Sequence, residues 1–92
     1  MIDLSQSLKE NYELFLSNFK NSFEIKDEVS SYAVYKLSVY MLQMGDYANA
    51  RKMAGISLRY RDNPNLFLLC DENFSKADWF VRNAEKIKIN IN

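Results

Sequence analysis

Histidine is absent from this chain of 92 residues, which also has one cysteine, one proline, two glycines and no net charge. Each shortage excludes something. Histidine is the side chain best suited to proton transfer near neutral pH and the commonest metal ligand. Without it, Cys70 has no imidazole to activate it as a nucleophile. A single cysteine forms no intrachain disulfide, which fits a reducing compartment. So little glycine and proline argues against an all-β fold, which needs many tight turns. Twelve basic residues are matched by twelve acidic ones, so there is no basic excess for phosphate, and nucleic acid is not the expected partner.

Other signals are missing too. The opening "MIDLSQSLKENYELF" has no basic segment followed by an apolar run, so no secretory signal is expected. The longest apolar stretch is interrupted by Lys36 and is shorter than the roughly 20 residues that span a bilayer. A cytoplasmic protein without a membrane span is expected. There is no Gly-rich phosphate loop, metal-ligand cluster or nucleophile motif, so neither cofactor nor catalysis is expected.

The chain is instead rich in apolar residues, at 48% hydrophobic and 14% aromatic. It has the length of one domain, residues 1–92. A chain of this size buries only about 60–65% of its unfolded surface, so its stability margin is thin. Helical periodicity runs through it. A first helix is expected from about Leu4 to Lys20, with Asp3 as cap and a capping-box spacing to Gln6. Its stripe is Leu4, Leu8, Tyr12, Phe15, Leu16 and Phe19, with Glu10, Asn11 and Glu13 off it. Phe23 and Ile25 anchor the linker that follows.

A second helix is expected from Glu28 to Met44, with Asp27 as N-cap and Gly45 as the terminator. Asp46 caps a third, running to about Tyr60, with Tyr47, Ala50, Met53, Ala54 and Leu58 on its inner side. Small residues there predict a tight antiparallel hairpin over about 28–61. Asn63 and Pro64 start a short helix to Cys70, "DENFS" breaks it, and Ser75 with Asp78 caps a last helix from Lys76 to Ile87. That helix carries Ala77, Phe80, Val81, Ala84 and Ile87 inward and leaves Trp79 off the stripe. The expected fold is all-α, with four to five helices in antiparallel hairpins.

The second helix has too little solvent face. Eleven of the sixteen residues from Val29 to Met44 are apolar. Val34, Leu37, Ser38 and Met41 form a stripe toward the third helix. Val29, Tyr32, Tyr35, Val39 and Leu42 fall on the neighbouring sides. Those sides either meet a partner or are covered by the first and last helices. In the third helix, Arg51, Lys52, Arg59 and Arg61 read as a solvated face, or else as a contact for an anion or acidic partner. Asp71 and Glu72 read as bordering a loop, and Cys70 as a small buried hydrophobe.

The segment from Val34 to Pro64 resembles a tetratricopeptide repeat, a helix-turn-helix unit. Leu37, Ser38 and Met41 stand at its first-helix packing positions, Gly45 and Tyr47 at its G-x-Y turn, and Ala50, Ala54, Ser57 and Leu58 at its second-helix positions. Val34 replaces the usual Trp, Ser57 replaces Ala, and Pro64 comes late. The resemblance covers about a third of the chain, so flanking helices must bury its faces. It implies a concave groove lined by Tyr32, Tyr35, Val39, Leu42 and Gln43, which would hold a protein partner. With its size and neutral charge, the chain is similar to the chaperones of the needle subunit in bacterial type III secretion. That similarity implies a hetero-oligomer in the cytoplasm. The groove would grip an amphipathic helix of a small secretion subunit, keeping it unpolymerised, with a co-chaperone completing the complex. The alternative is a homo-oligomer, a structural or regulatory helical subunit that hides its tyrosine face against its own copy. DNA binding through the third helix is less favoured.

Overall fold

The structure is a computed structural model that describes residues 7–17, 25, 27–84 and 86, with the side chains of 14–17 left aside. Within these residues the chain is all-α, with four helices: α1 Leu8–Ser17, α2 Glu28–Gln43, α3 Tyr47–Ser57 and α4 Pro64–Arg82.

The ends of these helices follow from local chemistry. Among the described residues, α1 opens on Ser7, whose Oγ accepts from the Glu10 backbone N–H at 3.2 Å and donates to Glu10 Oε1 at 3.1 Å. The expected cap at Asp3 lies outside the described residues, as do Leu4, Phe19 and Phe23. Asp27 and Ser30 make a reciprocal capping box at the start of α2. At its end, Gly45 takes φ 82°, where a side chain would strain the backbone. The Gly45 N–H then reaches Leu42 O at 3.1 Å and the Asp46 N–H reaches Met41 O at 2.9 Å. This pair of bonds closes two orphan carbonyls in a Schellman motif. Asp46 caps α3 by accepting from the Asn49 backbone. Asn63 caps α4 from the residue before Pro64, accepting from Asn65 and Leu66.

The hairpin of α2 and α3 is close because its seam is made of small and hydroxyl residues. Ala50, Ala54 and Ser57 of α3 are fully buried, facing Val34, Leu37, Ser38 and Met41 of α2. Two serines of α2 reach the backbone of α3: Ser38 Oγ donates to Ala50 O at 2.6 Å and Ser31 Oγ to Ser57 O at 3.0 Å. Asn73 of α4 joins from outside, its Nδ2 donating to Ser38 Oγ at 2.8 Å. A buried polar chain thus ties three helices together, with each member satisfied. Val34, Leu37, Met41, Ala50, Met53 and Ala77 form the core around it.

Helix α1 lies against α2, where Tyr12 packs edge-on to Tyr40 at 5.8 Å and donates its hydroxyl to Asp46 Oδ2 at 2.8 Å. Partial burial, that hydrogen bond and the nearby Asp46 charge push the Tyr12 phenol above its ordinary value. Asn11, expected off the apolar stripe, is buried, with its Nδ2 donating to Ser7 O at 3.2 Å. Local bonding of this kind lets an amide replace an apolar residue on an inner face.

The C-terminal part departs from expectation. The two helices expected on either side of "DENFS" are one, Pro64–Arg82. The buried series Leu66, Cys70, Asn73 and Ala77 keeps helical spacing straight through the expected break. Asn and Ser disfavour a helix interior by well under about 1 kcal/mol each, and Asn73 is used inside the core. Asp78 does not cap a helix. It pairs with Arg51 of α3 and with Arg82, both at 2.8 Å. Asp71 and Glu72 therefore stand on the outside of a helix, not beside a loop. α4 is described as Pro64–Arg82, and the expected end at Ile87 lies outside the described residues. Among the described residues no helix is long and apolar enough to cross a membrane.

Gly55 sits in the middle of α3. A Cβ there would meet the Phe74 ring at 3.6 Å, an ordinary van der Waals contact. Gly55→Ala is therefore expected to raise stability by about 0.5–1 kcal/mol, the helix-propensity difference. Chemical denaturation followed by circular dichroism reads it. A destabilised variant would mean that α3 and α4 are closer than this geometry allows.

Candidate functional site

The side of α2 that faces away from α3 borders α4. Tyr35, Val39, Leu42 and Gln43, four of the five residues expected to meet a partner, line one depression of about 290 Å³. Its opposite wall is α4, through Leu69, Glu72, Asn73 and Lys76. The fifth, Tyr32, lies in an adjoining depression of about 400 Å³ with Val29, Leu66 and Leu69. Leu69 borders both, so the two depressions adjoin along the seam between α2 and α4.

The surface chemistry changes along this seam. At the end near the start of α2, three large apolar residues are open to solvent: Val29 at 55%, Tyr32 at 47% and Leu69 at 45%. The Tyr32 and Tyr35 rings stack at 5.9 Å with their planes 20° apart, and the Lys36 ammonium lies 5.5 Å from the Tyr32 ring. Stacked tyrosines at helical spacing give a broad, stiff contact surface with polar tips. At the other end, Glu72 and Lys76 of α4 put one charge of each sign on the rim. The expected residues differ in depth. Tyr35, Val39 and Leu42 are half-buried and Gln43 is exposed, and Leu42 also packs against the core cluster.

Asn73 anchors the floor. It lines the depression while bonded to Ser38, so the buried polar chain also sets how α4 stands beside α2. Near the starts of both helices, Asn63 Nδ2 donates to Glu28 Oε1. The α4 wall is not expected from the sequence, because "DENFS" has the composition of a break. The unbroken spacing of Leu66, Leu69, Asn73 and Lys76 was the signal that pointed to it.

The remaining candidates are placed simply. Cys70 is buried. Arg51, Lys52, Arg59 and Arg61 are exposed, Arg51 engaged with Asp78 and Arg61 lying 5.2 Å from the centre of the Phe67 ring. Among the described residues no group of three His, Cys, Asp or Glu side chains is placed to hold a metal ion. Comparison of the chain with protein-family models, with characterised proteins and with solved structures finds no match.

Proposed function

We propose that this chain is a non-enzymatic protein-binding chaperone or adaptor, and that the α2–α4 seam holds an amphipathic helix of a protein partner. The observation that carries this reading is the seam itself. It brings Tyr35, Val39, Leu42 and Gln43 together against α4, with exposed Val29, Tyr32 and Leu69 extending it. A helix laid along such a seam buries an apolar stripe against Val29, Tyr32, Val39 and Leu69 and meets the polar Gln43, Glu72 and Lys76 at the other end, the helix-in-groove mode of recognition. Apolar burial at about 25 cal/mol per Å² drives the contact, less the cost of ordering the partner. Glu72 and Lys76 at the rim fix direction and register more than affinity.

The needle-subunit chaperones that the Val34–Pro64 segment and the small neutral chain resemble give this reading a specific form. The partner is then a small helical secretion subunit that would otherwise polymerise. The seam covers its assembling surface in the cytoplasm, and a second small helical protein completes the complex.

The test is a photo-crosslinking amino acid at Val39, with a control at exposed Arg59 in the turn after α3, both expressed in the native host. An adduct of one defined mass from position 39 and none from position 59 is expected. Adducts from position 59 alone would place the partner elsewhere.

A further inference from the structure

One face of α4 remains after its inner stripe is buried and its flank is given to the seam. Leu66, Cys70, Asn73 and Ala77 point inward. Leu68, Ser75, Trp79 and Arg82 lie on the opposite side of the same helix. Leu68 is 58% exposed and Trp79 is 55% exposed, and the Arg82 side chain, which shares its charge with Asp78 one turn back at 2.8 Å, is still 74% exposed. Asp71 and Glu72 flank this face in the first half of the helix, and Lys76 and Arg82 in the second. Acid therefore precedes base along the helix, with small Ser75 between them.

That order is self-complementary. If a second copy is laid antiparallel with the two-fold axis at Ser75, Leu68 comes beside the second copy's Trp79. Asp71 comes beside its Arg82, and Glu72 beside its Lys76. Each pair lies on the same side of the contact and within about 5 Å along the axis, from the rise of 1.5 Å per residue. Symmetry makes every contact twice. Ser75 at the axis lets the backbones approach, and a shallow crossing keeps the helices together along their length. A parallel pairing would set acid against acid.

We propose that two copies of this chain associate through the outer face of α4 in this antiparallel, two-fold arrangement. Leu68 and Trp79 supply the apolar contact, and the Asp71–Arg82 and Glu72–Lys76 pairs set the register. Leu68, Asp71, Ser75, Trp79 and Arg82 do not line the α2–α4 seam, whereas Glu72 and Lys76 stand on its rim. The apolar contact of the dimer and its Asp71–Arg82 pairs therefore lie off the seam, and the Glu72–Lys76 pairs border it.

The test uses the full chain in light scattering and sedimentation. The wild type is expected to be dimeric at roughly 100 µM and to dissociate in the micromolar range, as suits one helix pair. Trp79 is the only tryptophan, so its emission shifts to the red on dilution. Asp71→Lys alone and Arg82→Glu alone each set like charges together and should be monomeric. Their equimolar mixture should restore a heterodimer, because each copy then meets the opposite charge. Ser75→Arg, at an exposed position, should be monomeric as well, which guards against misfolding of a charge variant. A wild type that stays monomeric throughout overturns the proposal. So does a dimer that all three variants retain, or a mixture that stays monomeric.

Discussion

Leu37→Ala will destabilise the chain by about 2–5 kcal/mol, the range for emptying a fully buried leucine site. Leu37 has no exposed surface and sits in the core cluster between Val34 and Met41, facing Ala50, Met53 and Ala77. Most of the residues around it are on helices tied by the Ser38 bonds, so the cavity has little room to collapse. The total stability of a domain is only about 5–15 kcal/mol, and a chain this short belongs at the low end. Urea unfolding followed by circular dichroism should show the midpoint falling by roughly 1–3 M. A loss below about 1 kcal/mol would mean that Leu37 is not the centre of the core.

Ala50→Leu will cost about 3 kcal/mol, at the upper end for overpacking. Ala50 is fully buried, and its carbonyl accepts from Ser38 Oγ at 2.6 Å. A leucine at this position needs α2 and α3 to separate, which would stretch that bond and the Asn73 bond behind it. The effect therefore exceeds the steric term alone and reaches the α2–α4 seam. The measurement is again a denaturation curve, with Ala50→Gly as a reference that adds no volume. A neutral Ala50→Leu would reject the close hairpin.

The legible part of this fold was local. Asp27, Gly45, Asp46, Asn63 and Pro64 each have a backbone role that their chemistry dictates, and each marks a helix boundary. The face of α2 toward α3 was also legible, because Val34, Leu37, Ser38 and Met41 keep one spacing. The continuity of α4 was not. "DENFS" has the composition of a break, and only a distant partner, Ser38, shows why Asn73 belongs in the interior. The same long-range bond explains why only one wall of the depression is expected from the sequence. Tyr35, Val39, Leu42 and Gln43 could be named from α2 alone, whereas Leu69, Glu72 and Lys76 join them only once α4 is one helix. Asn11 was misread for a related reason, since a buried amide satisfied by its own backbone carries no signature in hydrophobic spacing.

Tyr35→Glu combined with Val39→Glu tests the central claim most directly. Both side chains are half-buried along the seam and lie outside the buried core. Circular dichroism and the capture of host proteins would be measured together on the same preparation. The expected result is a helical spectrum close to wild type with the partner lost. A variant that keeps its helicity and still retains the partner would contradict the seam as the binding surface. A variant that loses its helicity would show that Tyr35 and Val39 belong to the core.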